Sequence, residues 1–332
     1  MSTEPVIAAP DRPVRTATAL RERVGGFLSR NGALVALALL VIVLASVSRT
    51  FLTVPNLTNV LIQASVVAIL AFGMTLVIVT GGIDLSVGSV AALSAMCAAW
   101  LTTSAGIHPL LAVVVGLCVG VVAGSVSGIM VAFGRLPSFI ATMAMLSIAR
   151  GLTLVVSDGR AIPAGDVVSL LGSRLFGWLP MPVVVMAVMG LIAAVLLNRT
   201  VFGRAIFAIG GNEEAARLSG IPVRATHVGV YAVAGLFAAV AGLVLAGRLS
   251  TAQPQAAAGY ELDAIAAVVI GGASLAGGVG RITGTLIGAL VLAVIRNGLN
   301  LLNVNAFWQE IVIGAVIAIA VLIDVLRRKK PG

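Results

Sequence analysis

Residues 85–134 read LSVGSVAALSAMCAAWLTTSAGIHPLLAVVVGLCVGVVAGSVSGIMVAFG, without one Asp, Glu, Lys or Arg. A bilayer-crossing helix needs about 20 consecutive apolar residues. The stretch is therefore long enough for two spans, with the turn between them near Gly106 and Pro109. A membrane β-barrel would instead show short segments of alternating polarity. The same texture continues in both directions. Of the 332 residues 60% are hydrophobic and 10% charged, whereas soluble domains carry roughly a quarter charged residues. Mean hydropathy is +1.14. The fold class expected is an all-α integral membrane protein.

Apolar runs of spanning length are expected at roughly 32–49, 58–80, 86–104, 109–133, 137–156, 180–197, 225–247, 261–275, 283–302 and 307–325, about ten transmembrane helices in all. Residues 1–31 are polar and Arg-rich with Pro5, Pro10 and Pro13, and read as a flexible cytoplasmic arm. A signal peptide is the weaker reading, because the next apolar run is of spanning length and no small-residue cleavage site follows at once. The membrane domain covers 32–326, and 327–332 form a basic cytoplasmic tail. The eighth run is the weakest. Glu261, Asp263, Gly271, Gly272, Gly277 and Gly278 interrupt it, so a short or broken helix is expected there.

With the N-terminus inside, 15 of the 21 Lys and Arg residues fall at inner positions. Arg49, Arg160, Arg174 and Arg248 are outside, leaving Arg150 and Arg296 within spans. That asymmetry follows the positive-inside rule and predicts two cytoplasmic termini. Trp100, Trp178 and Trp308 each fall at the outer end of a span, where an indole prefers the headgroup level. The net charge of +9 is spread over span ends, which argues against a nucleic-acid partner. Cys97 and Cys118 sit inside apolar runs as packing residues. His108 and His227 have no partner at metal-ligand spacing, and no metal site is expected.

The fourth run carries Gly116, Gly120, Gly124 and Gly128, each one helical neighbour apart. Such a groove lets backbones approach closely in lipid, either within one subunit or across a dimer. Gly284 and Gly288 repeat the spacing once. A fainter echo links Gly81–Gly88 with Gly271–Gly278.

The only two lysines are Lys329 and Lys330. A phosphate-binding loop needs a lysine after its glycines, so any ATP-driven work must draw on another subunit. The long inner loop, 198–224, holds the segment of most consequence. Asn212 is a good N-cap, Glu213 and Glu214 complement the positive helix end, Gly220 suits the C′ position, and Pro222 stops the helix. A two-turn helix over roughly 213–219 is expected. So short a helix is marginal alone and is best ordered by docking into a partner.

Glu214-Ala215-Ala216-Arg217-Leu218-Ser219-Gly220 resembles the E-A-A-x-x-x-G core of ABC-importer permeases, whose loop couples to the ATPase subunit. Together with Gly81-Gly82-Ile83-Asp84-Leu85-Ser86-Val87-Gly88 and the stretch from Gly271 to Gly284, the chain looks like a monosaccharide permease of the ribose/xylose/arabinose/galactose group. The likeness covers about residues 30–326. The Leu-Pro of the wider importer motif is absent, so carry-over is confined to Glu214, Ala215, Ala216 and Gly220. The resemblance implies the importer-permease fold and alternating access in a bacterial inner membrane. It also implies an ATPase subunit that binds ATP and Mg, an extracytoplasmic sugar-binding protein, and a second permease, expected as a homodimer. No cofactor is expected in this chain.

Arg296, Asn300 and Asn303, at i, i+4 and i+7, are expected to share one face of the ninth span. Guanidinium and amide groups suit sugar hydroxyls, so the three are candidate pathway residues, with an interhelical polar network or a snorkelling Arg296 as the plainer readings. Arg150 is a similar case in the fifth span. Asp84 either caps the third span or serves the pathway. The nearest alternative is a branched-chain amino-acid permease of the same machinery. An ion-coupled secondary transporter would show acidic residues or His deep in its spans, and none stands out as central. A membrane enzyme is set aside, because no nucleophilic, zinc or two-carboxylate constellation is present.

Overall fold

The computed structural model describes residues 32–328; the arm 1–31 and the end of the basic tail, 329–332, lie outside the described residues. The helices in chain order are α1 (Gly32–Val47), α2 (Val54–Val79), α3 (Val87–Thr103), α4 (Pro109–Ala132), α5 (Ser138–Ser157), α6 (Asp166–Leu170), α7 (Met181–Arg199), α8 (Val201–Gly211), α9 (Glu213–Leu218), α10 (Val223–Leu249), α11 (Tyr260–Ile270), α12 (Ile282–Leu301) and α13 (Ala306–Arg328). Among the described residues, strand pairing is confined to two-residue pieces in the connections, Ile162–Pro163 against Thr251–Ala252 and Arg174–Leu175 against Leu179–Pro180. Among the described residues six helices, α2, α4, α5, α7, α10 and α12, are long and apolar enough to cross a bilayer. The other predicted runs are occupied by α1, α3, α11 and α13.

Proline sets several starts. Pro55, Pro109 and Pro182 stand in the first turns of α2, α4 and α7, where the missing N–H costs no intrahelical bond. Pro55 also opens α2 ahead of the expected residue 58. The helix α11 is 11 residues long, about 16 Å at 1.5 Å per residue, well short of a hydrocarbon core of about 30 Å. Turns through Gly271–Gly280 follow it. At the other end of the chain α13 runs on through Arg327 and Arg328, so the first two residues of the expected tail are helical.

Two helices form the centre. The most apolar window of α2 is 83% buried, against 28% for α5 and for α7. α10 packs on α2, α3 and α4, while α11 and α12 pack on each other and on α2. Leu110, Val122, Ile148 and Leu191 on the outer helices stay exposed, as side chains facing lipid do. The glycine stripe of α4 packs within the chain. A Cβ on Gly120 or Gly124 would come within 2.4 Å of the Gly235 carbonyl oxygen or 2.1 Å of that of Tyr231, so α4 and α10 touch backbone to backbone. Gly116 faces α3, and Gly284 and Gly288 seat α12 against α11 in the same way.

Polar groups between α2 and α12 satisfy one another. Asn56 and Asn297 exchange amide hydrogen bonds of 3.0 and 2.8 Å, and the hydroxyls of Thr75 and Thr285 lie 2.8 Å apart. At membrane depth such pairs replace what water would supply. The two glycine-rich turns also meet: the Gly278 N–H donates to the Val79 carbonyl at 2.9 Å, beside Gly81 and Gly210.

Candidate functional site

The loop 198–224 is more structured than its sequence suggests. Thr200 caps α8 by accepting a 3.0 Å bond from the Gly203 N–H. α8 then buries Gly203, Ile206 and Ile209 on one side. Gly210, near its end, lies against the Val79 carbonyl and the Gly278 N–H, where no side chain fits. Asn212 turns the chain and caps α9, its side-chain oxygen accepting from the Ala215 N–H at 2.9 Å. Gly220 at φ +82° closes α9. Its N–H donates to the Arg217 carbonyl and that of Ile221 to the Ala216 carbonyl, which is the Schellman pattern.

One side of α9 rests on the core through Ala216, packed with Ile209 and Val223. The other side is open. Leu218 is 79% exposed, and nothing lies within 4 Å of a Cβ built on Gly220. Glu214 binds the Arg217 guanidinium through both carboxylate oxygens, at 2.6 and 2.8 Å. That hydrogen bonding and the carboxylate charge hold Arg217 above its ordinary pKa. The pair is solvated and adds little stability; it fixes the direction of the side chain. Behind α9 lies a cavity of about 970 Å³, bounded by the turn Thr80–Gly82, the connection Phe133–Ser138 and the start of α10. His227 on α10 reaches towards Glu213, its Nε2 lying 3.8 Å from a carboxylate oxygen. One turn further, Tyr231 packs against Gly82, where an added Cβ would lie 2.6 Å from the phenol oxygen. Contacts thus run unbroken from α9 to the turn after α2.

That turn is pinned. Ser138 and Thr142 on α5 accept from the N–H groups of Ile83 and Leu85, each at 3.1 Å. Asp84 is buried and accepts from the Ser86 N–H at 2.8 Å and the Ser86 hydroxyl at 2.6 Å. Ser86, not Asp84, is the N-cap of α3, so Asp84 shapes the turn two residues before the cap. It does not line the cavity behind α9. Nor does Arg150, whose guanidinium donates to the carbonyls of Pro254 and Ala256 and ties α5 to the segment before α11.

A second pocket, about 260 Å³, lies between α2, α11, α12 and the start of α13. Arg296 and Asn300 both line it. Arg296 Nη2 contacts both oxygens of Asp263, at 3.1 and 2.8 Å, and Nη1 lies 3.7 Å from Glu310. The oxygen of Asn300 accepts from the Gln309 amide at 2.8 Å. Asn303 does not join them. α12 ends at Leu301, and Asn303 sits past its end at φ +53°, exposed. The i+7 relation lapses once the helix stops, and Asn is among the few residues that tolerate the left-handed turn.

Asp263 corrects a second expectation. It is 3% exposed, a buried acid within a predicted span. Sequence reading treated it as an interruption of apolar length. The available signal was an opposite charge on the next apolar run, since charges at membrane depth pair. Gln63, Tyr260 and Gln309, which also line the pocket, carried no signal of their own.

The family described as "Branched-chain amino acid transport system / permease component" matches residues 56–321. The chain belongs to this permease family. The permease is 48% identical over 306 residues to the ribose import permease protein RbsC of Escherichia coli (strain K12), covering 90% of this chain and 94% of that one. It is 46% identical over 310 residues to RbsC of Bacillus subtilis (strain 168), covering 92% and 94%. Against the D-allose transport system permease protein AlsC of Escherichia coli (strain K12) it is 39% identical over 307 residues, covering 91% and 94%. No solved structure matches it. The permease is a multi-pass protein of the bacterial inner membrane, a transport subunit and not an enzyme.

Proposed function

We propose that the permease is the membrane subunit of an ATP-driven importer of a monosaccharide, with D-ribose its substrate. The observation that carries this reading is the 48% identity to a ribose import permease along 94% of that protein's length. The family's description names branched-chain amino acids, but the relatives above are named for sugars.

In this reading ATP and Mg are bound by a separate ATPase subunit, and α9 is the segment that receives its motion. The exposed Leu218, the open space at Gly220 and the rigid caps support that role. Closure of the ATPase domains would push α9 against α10 and the turn Thr80–Gly82, and the spans would exchange inward- and outward-open packings. A binding protein delivers the sugar outside, and a second copy of the permease completes a homodimer. The chain crosses the membrane ten times with both termini in the cytoplasm. The charge asymmetry and the exposed Trp100, Trp178 and Trp308 support that orientation.

Uptake of labelled D-ribose, D-xylose, D-allose, leucine, isoleucine and valine, compared between the parent strain and a deletion of this chain, tests the substrate. Loss of ribose uptake alone is expected. Loss of the amino acids in place of sugars overturns the reading. The coupling role has its own test. Gly220→Trp places a bulky ring on the open side of α9 at a positive φ, and should abolish ATP-dependent uptake while the chain still inserts. Normal uptake in that variant removes α9 from the coupling path.

A further inference from the structure

The pocket between α2, α11, α12 and α13 is too polar to be a packing gap. A buried ion pair rarely adds net stability over apolar packing, and ionisable groups at membrane depth mark functional sites. The charged side chains that line it are Asp263, Arg248 and Arg296, with Asp263 paired to Arg296.

Its hydrogen-bonding capacity is not used up. Arg296 commits Nη2 to both oxygens of Asp263, while Nη1 is 3.7 Å from Glu310, beyond a hydrogen bond. Among the described residues Nη1 and Nε have no hydrogen-bond partner and remain as donors. Asn300 accepts through its oxygen, which leaves its NH₂ group. Gln63 brings an amide from α2, and Tyr260 brings a ring and a hydroxyl from α11. Donors and acceptors mixed in this way suit hydroxyl groups, each of which donates once and accepts twice. An aromatic face beside them suits the C–H face of a pyranose or furanose. The volume of about 260 Å³ equals roughly eight or nine waters at about 30 Å³ each, space for one monosaccharide and not for an oligosaccharide.

We propose that this pocket is a binding station for a single neutral monosaccharide on the permease itself. Gln63, Arg296 and Asn300 contact the sugar hydroxyls, and Asp263 is a positioning residue that holds Arg296 in place. The inference rests on the monosaccharide reading above.

The test uses the whole importer in cells. Uptake of labelled D-ribose is compared with that of its 2-deoxy, 3-deoxy and 5-deoxy analogues in the parent, Gln63→Met and Asn300→Leu. Both substitutions keep approximate volume and remove the amide. Uptake is expressed per copy of permease in the membrane, which separates recognition from insertion. Each variant is expected to lower ribose uptake about three- to ten-fold, the worth of a net hydrogen bond. For one analogue in each variant the loss should be smaller, because that analogue lacks the hydroxyl the amide served. The preference of the binding protein divides out of such a cycle, being the same in parent and variant. If parent cells carry ribose but every cycle is additive in both variants, the pocket is not a sugar site and the substrate reading stands. If the parent carries no ribose through this chain, the substrate reading falls and this proposal with it.

Discussion

At the scale of single residues, the buried Asp263 carboxylate has its charged partner, Arg296, on the next helix, 2.8 Å away. Removing one partner of a buried pair leaves the other uncompensated, which costs on the order of 3 kcal/mol. Arg296→Gln should therefore lower the thermal unfolding midpoint of the detergent-purified permease by several degrees. Adding Asp263→Asn should restore most of the loss, since a neutral amide pair has no charge to strand. A double variant no more stable than the single one removes charge pairing as the reason Arg296 is there. Arg296 was legible in the sequence as a charge inside an apolar run. Asp263 was not, because it lies in the one run too short and glycine-rich to be read as a firm span. Asn303 was misplaced for a related reason: helical periodicity says which positions share a face, but not at which residue the helix stops.

At the scale of elements, the sequence showed the spacing of the glycines in α4 but not the neighbour they serve. A stripe at intervals of four reads the same whether a second subunit or the same chain fills it. Here α10 fills it, with Gly235 and Tyr231 at the contact. Gly124→Ala would press a methyl group to 2.1 Å from the Tyr231 oxygen, and only separation of α4 from α10 relieves that. Overpacking of this kind costs about 1–3 kcal/mol. Gly151→Ala on α5 is the control, because nothing lies within 4 Å of its new Cβ, and it should fall within about 0.5 kcal/mol of the parent. Unfolding midpoints of the purified variants decide the matter; equal midpoints would mean that the α4–α10 contact yields easily. The caps of α9 were the most legible element, since Asn212 and Gly220 act through local backbone chemistry that needs no tertiary neighbour. α8 was missed because its apolar residues suit a helix lying along the core surface as well as an irregular loop.

At the scale of the whole molecule, the order of apolar runs was readable because every spanning backbone must satisfy its own hydrogen bonds, which leaves a helix as the only solution for such a run. Which helices become central was not readable, as all the runs are similarly apolar and burial of α2 and α10 arises from packing alone. The proposed orientation rests on charge, and the proposed coupling role depends on it: α9 can meet an ATPase only on the cytoplasmic side. With Cys97 and Cys118 replaced by Ala, Ser219→Cys at the end of α9 and Ser173→Cys in the connection before α7 report on opposite faces. Both positions are exposed, so reactivity reads sidedness and not burial. A membrane-impermeant maleimide added to intact spheroplasts should label Ser173→Cys and spare Ser219→Cys until the membrane is opened. In opened membranes that also hold the ATPase subunit, labelling of Ser219→Cys should slow again, because docking covers that end of α9. Labelling of Ser219→Cys in intact spheroplasts would turn the chain over, place the Glu214–Gly220 segment outside, and leave ATP-driven transport without a contact through which to act.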